Sequence, residues 1–127
     1  MCIRDSLLTN MDVKTSQIVM DPMTGALGYG IEYTYSVMER IRQTGLGGDK
    51  MLAGPLIVVP GQECVKVKEL KASKVDFPAW GDLSKRAALW ELSTAMGLLY
   101  AGADLLVMAH PDAVRELKIA IDKLMDR

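Results

Sequence analysis

The chain has 127 residues, half of them apolar and 24% charged, with a formal net charge of -1. That balance supplies one globular core, while near-neutrality and few, scattered aromatics exclude a basic nucleic-acid surface or a base-stacking platform. No apolar run approaches the about 18 residues of a membrane span, and Cys2, Cys64 and a single histidine are too few for a disulfide framework or a metal set, so neither nucleic acid, membrane nor a metal held by this chain is expected.

Met1-Cys2-Ile3-Arg4-Asp5-Ser6 fits no periodic pattern. Back-translated as ATG TGT ATA AGA GAC AG plus one base, it matches the mosaic-end sequence of a transposon used to build sequencing libraries. Residues 1–6 are therefore read as an adapter scar, outside fold reasoning. Residues 7–127 are read as the C-terminal part of a longer domain. No secretory signal is visible, which places the expected product in the cytoplasm.

Residues 7–13 read as the end of an upstream helix and its connection. Residues 16–20 give a short apolar strand, and residues 21–30, with Gly25, Gly28 and Gly30, a glycine-rich loop. Residues 31–44 predict a helix with Ile31, Tyr35, Met38 and Ile41 or Arg42 on one side, stopped by Gly45, Gly47 and Gly48. PLIVVP, residues 55–60, is a continuous apolar run between turn residues, as in a buried parallel strand. Residues 61–82 read as a long loop with a helical turn near 65–71. Residues 84–101 form the longest predicted helix, too apolar all round for a surface helix. DLLVMA, residues 104–109, is a third buried strand. His110-Pro111-Asp112 then opens a last helix, with Pro and an acid in its first turn and a stripe of Val114, Leu117, Ile121 and Leu124.

Strands alternating with helices predict an α/β fold with a parallel sheet. Three strands cannot close, and an eight-stranded barrel takes about 250 residues. The pattern fits the C-terminal three βα units of a TIM (β/α)8 barrel, with a doubly wound sheet as the other arrangement. In a barrel the three loops after the strands lie on the ligand face. They gather Asp21, Thr24, Gly25, Gly28, Tyr29 and Gly30, then Gln62 and Glu63, then His110.

Each of these residues has a plainer role beside the functional one. GALGYG is not GxGxxG, so it is weak as a nucleotide motif; it suits either an anion at a helix start or a turn needing positive φ. Asp21 either caps loop amides or meets a ligand. His110 stands where a barrel ligand would sit, and equally at a helix N-cap. No Ser/His/Asp set is evident. Asp21 and Glu63 form a carboxylate pair only if the fold brings them together. Trp80 and Trp90 suit core or interface anchors, and Lys66, Lys68, Lys71 and Lys74 a solvated face.

DPMTGALGYGIEYTYSVMERIR, residues 21–42, resembles a signature of the small subunit of the corrinoid iron–sulfur protein in the acetyl-CoA synthase/carbon monoxide dehydrogenase system. The archaeal counterpart is the delta subunit of the acetyl-CoA decarbonylase/synthase complex. The likeness continues through Gly48-Asp49-Lys50-Met51-Leu52, Gly61-Gln62-Glu63, Trp80-Gly81-Asp82, Leu89-Trp90-Glu91, Ala101-Gly102-Ala103-Asp104 and His110-Pro111. It departs at Met23, where the family more often has Thr or Ser, and at Arg86-Ala87-Ala88-Leu89, which replaces an Arg-Gly-Pro-like run.

The resemblance implies a TIM barrel paired with a large subunit that holds the iron–sulfur cluster and, in the main, the corrinoid (cobalamin). It implies transient meetings with a methyltransferase and acetyl-CoA synthase, as a methyl group passes from methyl-tetrahydropterin in the Wood–Ljungdahl pathway. This chain would then be scaffold and cap for the corrinoid. The other reading is a stand-alone TIM-barrel enzyme, such as a pterin-binding methyltransferase acting through Asp21, Glu63 or His110.

Overall fold

The computed structural model describes residues 7, 8 and 10–126. The reading of residues 1–6 as a scar lies outside them. Three segments run parallel in chain order: Met20, strand β1 (Ile57–Val58) and strand β2 (Leu105–Leu106). Met20 bridges Leu56, donating to Pro55 O at 2.9 Å and accepting from Ile57 N at 2.9 Å. Ile57 stands opposite Leu105, and Val58 opposite Leu106. Leu105 N donates to Leu56 O (3.0 Å) and Val107 N to Val58 O (2.9 Å).

The strands are shorter than expected. Of residues 16–20 only Met20 pairs, because Thr15–Gln17 closes a 3-10 turn just before it. At 55–60 the ladder stops at Val58, because Val59 leaves the extended region (φ -121, ψ 61) and Pro60 opens a helix.

Helix α1 (Ile31–Leu46) leads from the first loop, α2 (Pro60–Cys64) follows β1, α3 (Leu83–Tyr100) precedes β2, and α4 (Pro111–Leu124) follows it. Side chains on a strand alternate between faces. Leu56 and Val58 are fully buried, and with half-buried Met20 and Leu106 they pack on Met38 of α1 and Leu98 of α3. Burying such side chains contributes roughly 1.5–3 kcal/mol each. The alternate positions of the two outer segments are open, Val19 being 45%, Leu105 48% and Val107 45% exposed, while Ile57 on β1 is half-buried. The third strand is therefore buried on one face only.

The buried stripe of α1 is Thr34 and Met38, with Ile41 half-buried, not one led by Ile31 and Tyr35. Thr34 can be buried because its hydroxyl donates to Met23 O (3.2 Å). On α4 the buried pair is Ala113 and Leu117, with Leu124 exposed.

The expected long loop is largely turned. Gln62 and Glu63 lie on α2, and 3-10 turns form at Lys68–Leu70 and Pro78–Trp80. Arg86 organises this segment. It is 9% exposed, and its guanidinium donates to Glu69 O (2.7 Å), Ala72 O (3.1 Å) and Gly81 O (3.1 Å). Trp80 stacks on Phe77 and lies 5.5 Å from the Arg86 guanidinium carbon.

Candidate functional site

The parallel ladder continues past the strands into the loops that follow them. Thr24 Oγ1 accepts from Val59 N (3.4 Å), tying the first loop to the end of β1, and Gly61 N donates to Val107 O (3.2 Å), tying α2 to the end of β2. Backbone groups here would be orphaned without such partners. The segments carrying Asp21 and Thr24, Gln62 and Glu63, and His110 are thus held side by side at the C-terminal end of the strands.

The first loop is not an open glycine cradle. Thr24–Tyr29 coils into a 3-10 helix. Asp21 Oδ1 accepts from both the backbone N and the hydroxyl of Thr24, each at 2.9 Å, so its carboxylate caps this turn. Gly25 and Gly28 are exposed members of the turn. Gly30, the N-cap of α1, takes φ 130, where a side chain would be strained and would meet the Glu32 carboxylate. Tyr29 is 85% exposed and borders a recess of about 320 Å3 with Met23, Tyr33 and Val37.

Gly30 and Glu63 share a different space, a cleft of about 440 Å3 that also meets Cys64, Trp90, Ser93 and Thr94. Glu63 Oε1 pairs with Lys66 Nζ at 2.7 Å, while Asp21 serves Thr24, so the two carboxylates have separate partners. Gln62 is exposed on α2. His110 is the N-cap of α4, its Nδ1 accepting from Asp112 N at 3.3 Å.

The thiol of Cys64 is buried, and that burial pushes its pKa up; a hydrogen bond with Thr94 opposes the shift, while the charges of Glu91 and Glu63 add to it. A thiol of this kind stays protonated near neutral pH and is a poor nucleophile. Among the described residues no group of three or more His, Cys, Asp or Glu is placed to hold a metal ion, and no helix is long and apolar enough to cross a membrane.

Two site residues were not singled out by chemistry in the sequence. Glu91 is 2% exposed and accepts from the backbone of Ala109 and His110 (2.6 to 3.2 Å). The only signal was an acid in an otherwise apolar helical stretch. Gly61 lets α2 meet β2, since a Cβ there would fall 2.6 Å from Ala109 N.

The family model described as CO dehydrogenase/acetyl-CoA synthase delta subunit matches residues 4–119. The acetyl-CoA decarbonylase/synthase complex subunit delta of Archaeoglobus fulgidus is 39% identical over 123 residues, 93% of this chain and 26% of that protein. The subunit of the same name from Methanocaldococcus jannaschii is 34% identical over 111 residues, 87% of this chain and 26% of its own length. That of Methanopyrus kandleri is 38% identical over 117 residues, 92% of this chain and 28% of its own. The chain thus spans about a quarter of the length of these curated relatives.

Proposed function

The chain belongs to the family of CO dehydrogenase/acetyl-CoA synthase delta subunits, and from that premise we propose that it is the C-terminal three βα units of a TIM (β/α)8 barrel serving as scaffold and cap for a corrinoid. In this reading the barrel pairs with a large corrinoid iron–sulfur subunit. The pair carries a methyl group from a methyl-tetrahydropterin to acetyl-CoA synthase.

The observation that carries the reading is the two-sidedness of the parallel segments. Met20, β1 and β2 neighbour one another in chain order, and α1 and α3 pack on the same face. A doubly wound sheet puts helices on both faces, whereas a barrel keeps them all outside and fills its interior with strand side chains. Val19, Leu105 and Val107, apolar and open, suit such an interior.

The residues at the loop end suit a cap and not a cobalt ligand. His110 Nδ1 is spent on its own helix, the Cys64 thiol is buried and protonated, and Glu63 is paired with Lys66. What the loops offer a corrinoid is hydrogen-bonding groups on Gln62, Tyr29 and His110, and the exposed apolar surface of Met23 and Tyr33. When bound, the corrinoid supplies the cobalt that carries the methyl group. This chain's part is to cover one side of it and exclude water.

The test is co-expression of the whole subunit with the large corrinoid subunit, followed by visible spectroscopy of the purified pair. A stoichiometric complex with corrinoid absorbance supports the reading. Turnover of methyl-pterin by the whole subunit alone would support a stand-alone barrel enzyme instead.

A further inference from the structure

We propose that Glu91 is the positioning residue of the loop after β2, and that through it His110 presents its Nε2–H to an oxygen acceptor, such as an amide carbonyl, on a ligand at the C-terminal end of the strands. The ligand half rests on the reading given above; the positioning half does not.

Glu91 lies in the middle of α3 and is 2% exposed. A buried carboxylate is costly unless its charge is met. Among the described residues no Lys, Arg or His forms an ion pair with it. Its oxygens instead take two backbone N–H groups: Ala109 N to Oε1 at 2.6 Å, and His110 N to Oε1 and Oε2 at 3.2 and 3.1 Å. These groups stand at the start of α4, where the helix dipole favours negative charge. Here the chain's own carboxylate fills the position that an external anion would otherwise take.

The same peptide also packs against Gly61 of α2, whose missing side chain admits Ala109 N. The segment 109–110 is therefore clamped between α3 and α2. On that fixed backbone His110 Nδ1 accepts from Asp112 N, which in the neutral ring leaves the proton on Nε2. Glu91 and His110 also border one cavity of about 190 Å3 with Cys64 and Pro111.

The experiment uses the whole subunit labelled with 15N-histidine, the His110 signal being assigned by its loss in His110→Asn. Long-range 15N–1H correlation reads the tautomer, and peptide-resolved amide exchange reads the backbone. The wild type is expected to show the Nε2–H tautomer. Glu91→Gln keeps the volume but removes the charge and one acceptor. It is expected to speed exchange at 109–110 at least tenfold and to mix the tautomers, with α1 and β1 unchanged. Unchanged exchange and tautomer in Glu91→Gln would overturn the positioning role, as would an Nδ1–H tautomer in the wild type, a measurement that stands even if the variant does not fold. His110→Asn is expected to retain several-fold less corrinoid in the complex; retention equal to wild type would overturn the ligand half. A wild-type complex with no corrinoid at all, but with the expected tautomer, would instead refute the functional reading.

Discussion

Arg42 and Asp104 form an ion pair at the N-terminal end of the strands, and each also serves the backbone. Arg42 donates to Gly102 O through Nε (3.1 Å) and to Gly54 O through Nη1 (3.2 Å), while Asp104 Oδ2 accepts from Leu56 N (2.8 Å). One side chain from α1 thus ties together the turns that lead into β1 and β2. An exposed ion pair alone would contribute little, but removing this arginine strips two carbonyls of their donor. Arg42→Ala is expected to cost about 1–3 kcal/mol in urea unfolding of the whole subunit. Arg42→Lys is expected to recover only part of that, because an ammonium cannot reproduce the fork.

Thr24 is buried with its hydroxyl donating to Asp21 and accepting from Val59 N. Thr24→Val keeps the shape and loses both bonds, so a loss of roughly 1–2 kcal/mol is expected, with faster amide exchange at Val59. Thr24→Ser is expected to restore the protection. Equal exchange at Val59 in Thr24→Val and wild type would show that the hydroxyl does not join the two loops.

Burial holds the Cys64 pKa above its ordinary value. A proton held more tightly in the folded than in the unfolded state favours folding below the unfolded pKa. That contribution is lost as pH rises through the folded pKa. Stability is therefore expected to decline above about pH 8.5, and the decline to be smaller in Cys64→Ala. At pH 8, peptide-mapped alkylation of Cys64 is expected to be at least tenfold slower in the native protein than in urea.

The uncovered face has a consequence for the 127-residue chain by itself. Val19, Leu105 and Val107 stand open, and each outer strand segment has one unpaired edge among the described residues. Such edges and patches favour association. The isolated chain is expected to bind a hydrophobic dye and to self-associate without a cooperative thermal transition. A soluble monomer with a sharp transition would contradict that expectation.

The order of elements was legible because alternating apolar runs and helical stripes are strong local signals, and Pro111 and Asp112 marked the start of α4. Strand lengths were not, because apolar runs such as 55–60 report burial and cannot report where a neighbour's ladder ends. The helical role of Gln62 and Glu63 was hidden because Pro60 read as the end of the strand run and Gly61 as the start of a loop, until the helix start and the close approach to Ala109 are seen. Arg86 and Glu91 carried no signal of their roles in the sequence. Their burial depends on carbonyls and amides 5 to 19 residues away in sequence, which no periodicity encodes. Asp21 and His110 were legible as caps, because capping is local chemistry.

The most direct test of the account is to amplify the native locus and sequence through its 5′ boundary into the neighbouring genes. An open frame is expected to run upstream in place of residues 1–6, to encode further strand–loop–helix units, and to lie beside a gene for a corrinoid subunit or acetyl-CoA synthase. A stop codon immediately before Met1, with unrelated neighbours, would contradict it.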